Sequence, residues 1–315
     1  MKILMLSPNQ ATRWNPGHNQ WREAVGKQHD VRYYGQGYKD FTIPGGLNHV
    51  PSILEFYRIA RHWVPDVVMT YGYRYSTQFT GLREIKIPKV QIVCDFTRPI
   101  PNSPGTISYY YPWIKMQEFD VLFCMSYQVL RWFEKHDPKQ KIFYVPFGVD
   151  EKIFKPKTYE KGPKYYAYVG WSKHDAIYPL RTPVEKMLRE EYTTEEVLIK
   201  RSFGKAFIEN INRALLNLNT SNVYRTMNMK TFEVMACASC LVTEKVQEIE
   251  DLGYRDMIHY IAYKDVGDLS EKMWAMKDVP NIIQDIANAG YRLTIKENTN
   301  KHRVEDMTRR LNEIL

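Results

Sequence analysis

Four residues stand where side chains of their kind can do chemistry: Asn9, His18, Tyr73 and Asp95. Each follows a short apolar run of the kind that forms a buried strand, and ligands of parallel sheets sit beyond the carboxyl ends of such strands. Asp95 comes directly after the run Val90 to Val93 and Cys94, so its carboxylate is placed to take a proton from a hydroxyl. A helix cap or a salt bridge to Arg98 is the other reading, and the residues alone leave both open. His18, in the first strand-to-helix loop, is a second candidate, although a lone loop histidine can simply be exposed. Cys237-Ala238-Ser239-Cys240 has the spacing of a redox or metal pair. No second cysteine pair or histidine cluster accompanies it, so core packing is its expected role. Tyr109-Tyr110-Tyr111-Pro112-Trp113 is either a stacking platform at a ligand cleft or a core edge.

These residues need a frame, and the apolar runs supply one. Lys2 to Leu6, Asp30 to Tyr34, Val67 to Met69, Val90 to Val93, Asp120 to Met125 and Ile142 to Val145 read as six strands. Helical spacing intervenes at Trp21, Ala24 and Val25 and over Ile53 to Trp63. Short continuous apolar strands alternating with helices predict a parallel sheet buried on both faces. From Phe147 to Pro163 the composition turns to Gly, Pro, Lys and Glu, which reads as a connection between domains. A second α/β pattern begins with the strand Tyr165 to Val169. Helices are predicted over Pro183 to Glu191, Thr194 to Asn212, Thr231 to Ala238 and Leu269 to Met276. Strands are predicted over Ala214 to Leu218, Leu241 to Thr243 and His259 to Ala262. The tail from His302 has Val304, Met307, Leu311 and Ile314 on one face, an amphipathic helix with a docking stripe.

Length and charge bound the rest. At 315 residues the chain has room for two domains, and 44% hydrophobic residues give each a core. The net charge of +8 favours an anionic ligand, a nucleic acid or an acidic membrane surface, or is merely solvated. No run approaches ~20 apolar residues, so no transmembrane segment is expected. Ile3-Leu4-Met5-Leu6 is too short for a secretory leader. Four cysteines do not make a disulfide framework in a chain of this length, which predicts a reducing, cytoplasmic location.

Three segments resemble a known family. Lys141 to Asp150, with Phe154-Lys155-Pro156 after it, resembles the interdomain signature of group 1 (retaining) GT-B glycosyltransferases. Asn228 to Cys237 is similar to a segment of their spore-maturation glycosyltransferase-like branch. Ile286-Ala287-Asn288-Ala289-Gly290-Tyr291, with Thr299 and Arg303, resembles that branch's closing pattern. Weaker echoes lie at His29-Asp30-Val31, Pro65 to Val68 and Ile87 to Val90.

The resemblance implies an α/β GT-B fold: two Rossmann-like domains facing across a cleft, with the final helix returning to the first. Residues 1–150 would form the acceptor-side domain, 151–300 the donor domain and 301–315 the returning helix. The activity implied is sugar transfer from a UDP- or GDP-sugar to a hydroxyl acceptor on a glycan, a lipid or another small molecule, with hexosyl transfer the expected type and no cofactor or metal demanded. Glu233 would accept hydrogen bonds from the ribose hydroxyls. Gly170 would let backbone approach the diphosphate, with Lys173 and Arg181 as its cations, and Lys230 and Thr231 would present backbone N–H groups. A base for an inverting mechanism would be Asp95, with His18 as a further acceptor or sugar contact. The family usually carries a second glutamate eight residues before Glu233; here it is Arg225, and Asn228 could stand in for it. Ala238 replaces the usual glycine after the "MAC" segment. Two alternatives remain: transfer to a modified base in DNA, suggested by the charge and the aromatic run, and a silent nucleotide-sugar-binding protein, suggested by Arg225.

Overall fold

The computed structural model describes residues 1–7, 17–35, 63–71, 81–94, 107–158, 164–170 and 176–314, with side chains from 20 and 110 onward in the helices that begin at 17 and 107. The first compact unit contains the opening strand, His18–Pro146 and the chain from Val304; the second holds Phe147–Arg303.

In the first unit six strands form one parallel sheet: β1 (Lys2–Leu6), β2 (Asp30–Tyr34), β3 (Val67–Tyr71), β4 (Lys89–Val93), β5 (Val121–Cys124) and β6 (Ile142–Tyr144). Their order is β2-β1-β3-β4-β5-β6. β1, β3, β4 and β5 are buried along nearly their whole length, as continuous apolar runs require when helices cover both faces. α1 (Gly17–Gln28), α2 (Ile107–Gln117) and α3 (Tyr127–His136) accompany them. Tyr110 and Trp113 of the aromatic run are buried in this core, their rings 5.4 Å apart and stacked, with Tyr111 packed beside them. The described part of that run is therefore a core edge.

The second unit has five parallel strands: β7 (Tyr165–Val169), β8 (Val197–Ile199), β9 (Ala214–Leu218), β10 (Cys240–Glu244) and β11 (Ile261–Tyr263), ordered β11-β10-β9-β7-β8. Alternate residues of each strand feed opposite faces. Ala167, Leu216 and Val242 meet α4 (Arg181–Glu191), α8 (Val266–Met276) and α9 (Pro280–Glu297) on one side. Tyr168, Leu241 and Ala262 meet α5 (Gly204–Arg213), α6 (Lys230–Ala236) and α7 (Gln247–Asp251) on the other. The expected helix over Thr194 to Asn212 is corrected: Val197–Ile199 is a strand paired to Ala167–Val169, and the helix starts only at Gly204. The β-branched and apolar run Val197-Leu198-Ile199 finds a sheet edge to complete, and that tertiary partner outweighs local helical spacing.

The connection read from Phe147 to Pro163 is partly core. Val149 bridges Thr299, Asn300 N donates to Val149 O at 2.8 Å, and Val149 and Phe154 are buried. The second unit takes up the chain at Phe147. Gly148 is required there, because a Cβ would lie 2.8 Å from the Asn300 backbone nitrogen.

The last helix, α10 (Asn300–Asn312), begins in the second unit and ends in the first. Val304, Met307 and Leu311 are wholly buried, and the His29 ring and Thr308 hydroxyl are hydrogen-bonded at 2.8 Å. Of the expected helix Ile53 to Trp63, only Trp63 is described; it precedes β3 and donates from its indole to Asp30 at 2.9 Å. Among the described residues no helix is long and apolar enough to cross a membrane.

Candidate functional site

In the second unit the direction of winding reverses between β7 and β9, which stay paired to their last residues, so the connections leaving their carboxyl ends run to opposite faces of the sheet. The loop from Asn219 to Met229 follows β9 and is held by backbone bonds and by many side-chain hydrogen bonds. The Asn219 and Asn228 amides bond each other in both directions, at 3.2 and 3.1 Å. Asn222 Oδ1 accepts from Tyr224 N and Thr226 N at 3.0 and 3.2 Å. From beneath, Glu244 accepts from Ser221 N at 2.7 Å and Glu248 from Met227 N at 2.5 Å. Tyr263 donates to Asn219 O at 2.7 Å. A loop held at so many points keeps one shape, as a binding surface needs.

Two cations and one carboxylate gather against it. Arg181 opens α4; its Nε donates to Thr220 Oγ1 at 3.3 Å and its guanidinium lies 3.4 Å from the Tyr178 ring centre. Lys230 opens α6, its Nζ donating to Leu218 O at 2.7 Å with the Tyr168 ring 5.4 Å away. Glu233 is three residues further along the same helix, and both Lys230 and Glu233 are half-buried. Loss of solvation, and then repulsion from Arg181, brings the Lys230 ammonium down to about 7. Loss of solvation brings the Glu233 carboxyl up to about 7, opposed by attraction to Lys230. Two mutually repelling, poorly hydrated cations are relieved by an anionic ligand.

Of the residues singled out in the sequence, Gly170, Arg181, Asn228, Lys230 and Glu233 thus belong to this neighbourhood. Gly170 has a packing reason of its own: a Cβ there would run into the Tyr168 hydroxyl. Both ends of the Asn228 amide are engaged, with Asn219 and with Thr220 O, so it shapes the loop. Thr231 is corrected. Its side chain is wholly buried, and its N–H donates to Asn228 O at 3.1 Å, which leaves that group unavailable to a phosphate. His18 is corrected in place: it lies in the first turn of α1, not in a loop. Lys173, Asp95, Asn9 and Tyr73 fall outside the described residues. Arg225 sits in a surface turn with φ of 52°, its N–H donating to Asn222 O at 2.8 Å. Cys237 and Cys240 are buried free thiols, both pushed up to about 12 by loss of solvation. No group of three or more His, Cys, Asp or Glu among the described residues is arranged to hold a metal.

Sequence reasoning missed Thr220, Asn219, Glu244 and Glu248. Their one signal was the density of Asn, Thr and Ser after β9, a composition that binds its own backbone.

Two doubly wound parallel sheets on one chain, with the last helix returning to the first, constitute the GT-B fold. Residues 189–309, almost wholly in the second unit, match the family described as glycosyl transferase-like. Solved structures agree on the fold along nearly the whole chain. Sucrose-phosphate synthase from Thermosynechococcus elongatus superposes with a TM-score of 0.68 at 12% identity, covering 99% of this chain and 98% of that one. HepE from Anabaena, solved with UDP and glucose, gives 0.67 at 11% identity, covering 99% and 100%. An alpha-glucosyltransferase solved with UDP-glucose and DNA containing an abasic site gives 0.62 at 12%, covering 99% and 98%. A comparison with the sequences of curated proteins gives no match.

Proposed function

We propose that this protein is a glycosyltransferase that moves a hexose from a UDP- or GDP-sugar to a hydroxyl acceptor. The observation that carries the reading is the convergence of Arg181, Lys230 and Glu233 beyond the carboxyl ends of β7 and β9. A nucleotide sugar brings a diphosphate and a ribose. Arg181 and Lys230 offer the diphosphate two positive charges, the role a metal would otherwise fill. Glu233 offers lone pairs to ribose hydroxyls. As the bond from the anomeric carbon to the phosphate oxygen breaks, charge grows on the leaving diphosphate, where those cations are most effective. The acceptor oxygen forms the new bond and gives up its proton, and Asp95 is the group proposed to receive it. The family match over residues 189–309 and the neighbours solved with UDP or UDP-glucose support the donor class. A cytoplasmic location is proposed with it.

A second reading, transfer to a modified base in DNA, is favoured by the net charge of +8 and by the neighbour solved with DNA. It requires that duplex DNA bind with an affinity falling steeply as salt rises.

The test is nucleotide release from a panel of nucleotide sugars. Glu233→Ala is expected to weaken nucleotide binding roughly 10- to 100-fold, the worth of one or two hydrogen bonds to a charged group. A protein that binds no nucleotide sugar is not this enzyme. Asp95→Asn with donor binding intact and transfer lost supports the base role; unchanged transfer removes Asp95 from it.

A further inference from the structure

The turn before α4 contains an aromatic residue that takes no part in the chemistry proposed so far. Tyr178 lies three residues before Arg181, and the Arg181 N–H donates to Tyr178 O at 3.2 Å. The guanidinium stands 3.4 Å from the Tyr178 ring centre, the distance of direct face contact. From another side Arg181 Nε reaches Thr220 Oγ1 at 3.3 Å, on the loop that follows β9. The turn is itself tied to the far loop, because Val223 N donates to Ile177 O at 2.8 Å. The Arg181 charge acts on both Lys230 and the Tyr263 hydroxyl, which places it centrally among the groups at the β9 end. A guanidinium on a flexible stem would otherwise sample many orientations, and fixing it only when ligand arrives costs about 0.5–1.5 kcal/mol for such a side chain.

The geometry points to Tyr178 as a positioning residue: its ring holds the Arg181 guanidinium flat against Thr220, presenting the cation to the donor diphosphate before the donor binds. This rests on the proposed donor site and names what sets its affinity. Tyr178 does not touch the reacting atoms. A planar guanidinium stacks where an ammonium does not, so arginine is required at 181. The Arg181 charge acts on the bound diphosphate and most strongly as it leaves, so misplacing it weakens nucleotide binding and lowers kcat/KM by at least as much.

The experiment measures UDP and GDP binding by calorimetry and donor kinetics by nucleotide release. Tyr178→Leu is expected to weaken nucleotide binding roughly 10-fold and to lower kcat/KM by at least the same factor. Tyr178→Phe, which keeps the ring, is expected to match the original protein. In an Arg181→Ala background Tyr178→Leu is expected to have no further effect. Arg181→Lys, which keeps the charge and the fold, serves as a second route and is expected to show the same loss and the same indifference to Tyr178→Leu. Unchanged binding in Tyr178→Leu overturns the inference, as does an equal loss with Arg181 already removed, or a loss in Tyr178→Phe. If the original protein binds no nucleotide, the failure belongs to the proposed function instead.

Discussion

Lys230 and Glu233 bring two opposed titrations to one turn of helix. Glu233 has its carboxyl raised from 4.5 to about 7, so between those values the folded chain holds more protons than the unfolded one. Stability from this group is therefore present at low pH and declines as pH rises towards 7. Lys230 is lowered from 10.5 to about 7, so between those values the unfolded chain holds more protons, and stability from this group grows as pH rises. Together they are expected to place a shallow minimum of stability near pH 7 in the ligand-free protein. Thermal unfolding across pH 5 to 10 would display it. Glu233→Gln should remove the acid-side slope and Lys230→Met the alkaline one. A bound diphosphate favours the charged lysine, so nucleotide binding above pH 7 is expected to take up a proton. Calorimetry in buffers of different ionisation enthalpy would show a dependence that Lys230→Met abolishes. The position of Glu233 is legible in the sequence, because the helix-opening segment around it carries the family resemblance. Its shifted protonation is not, since burial belongs to the folded surroundings.

At the scale of elements, backbone conformation separates what local sequence permits from what the fold demands. α6 ends at Ala236, and Ala238 beyond it takes φ of 51°, the left-handed conformation that usually ends a helix on glycine. A side chain there costs roughly 1–2 kcal/mol. Ala238→Gly is accordingly expected to stabilise the second unit by about 0.5–1 kcal/mol in urea unfolding, part of the relief being offset by glycine's greater freedom when unfolded. Gly290 is the reverse case. It lies inside α9, and a Cβ would collide with His259 O. Gly290→Ala is expected to cost about 1–3 kcal/mol by forcing the helix away from that backbone, measured in the same unfolding experiment. The alanine in place of the usual glycine is visible in the sequence; the positive φ that gives it a cost is not. The same limit explains β8, whose three apolar residues become a strand only because β7 leaves an edge to pair.

The whole molecule is two sheets wound on the same plan, each reversing between its first and third strands. That reversal sends the connections after β7 and β9 to opposite faces of the sheet, and the proposed donor site lies where they diverge. α10 starts in the second unit and carries Val304, Met307 and Leu311, all buried, into the first. Leu311→Ala is therefore expected to destabilise the first unit by about 2–5 kcal/mol, although it is almost the last residue of the chain. Limited proteolysis should then open sites before Pro146, while nucleotide binding by the second unit persists. Loss of nucleotide binding in a folded Leu311→Ala protein would mean that the donor site depends on that helix.

Periodicity and composition determined much by themselves: the two α/β halves, nearly every strand and the apolar face of the last helix, while the family resemblance singled out Glu233. These depend on which residues are apolar and how far apart they lie, and a single chain displays both. Tertiary structure alone decided that Thr231 is core, that Asn228 spends its amide on Asn219, and that Arg181 rests on Tyr178 and Thr220. Each of those depends on a partner brought close in space from another element, or on a direction set by packing. Spacing along a sequence carries no record of either.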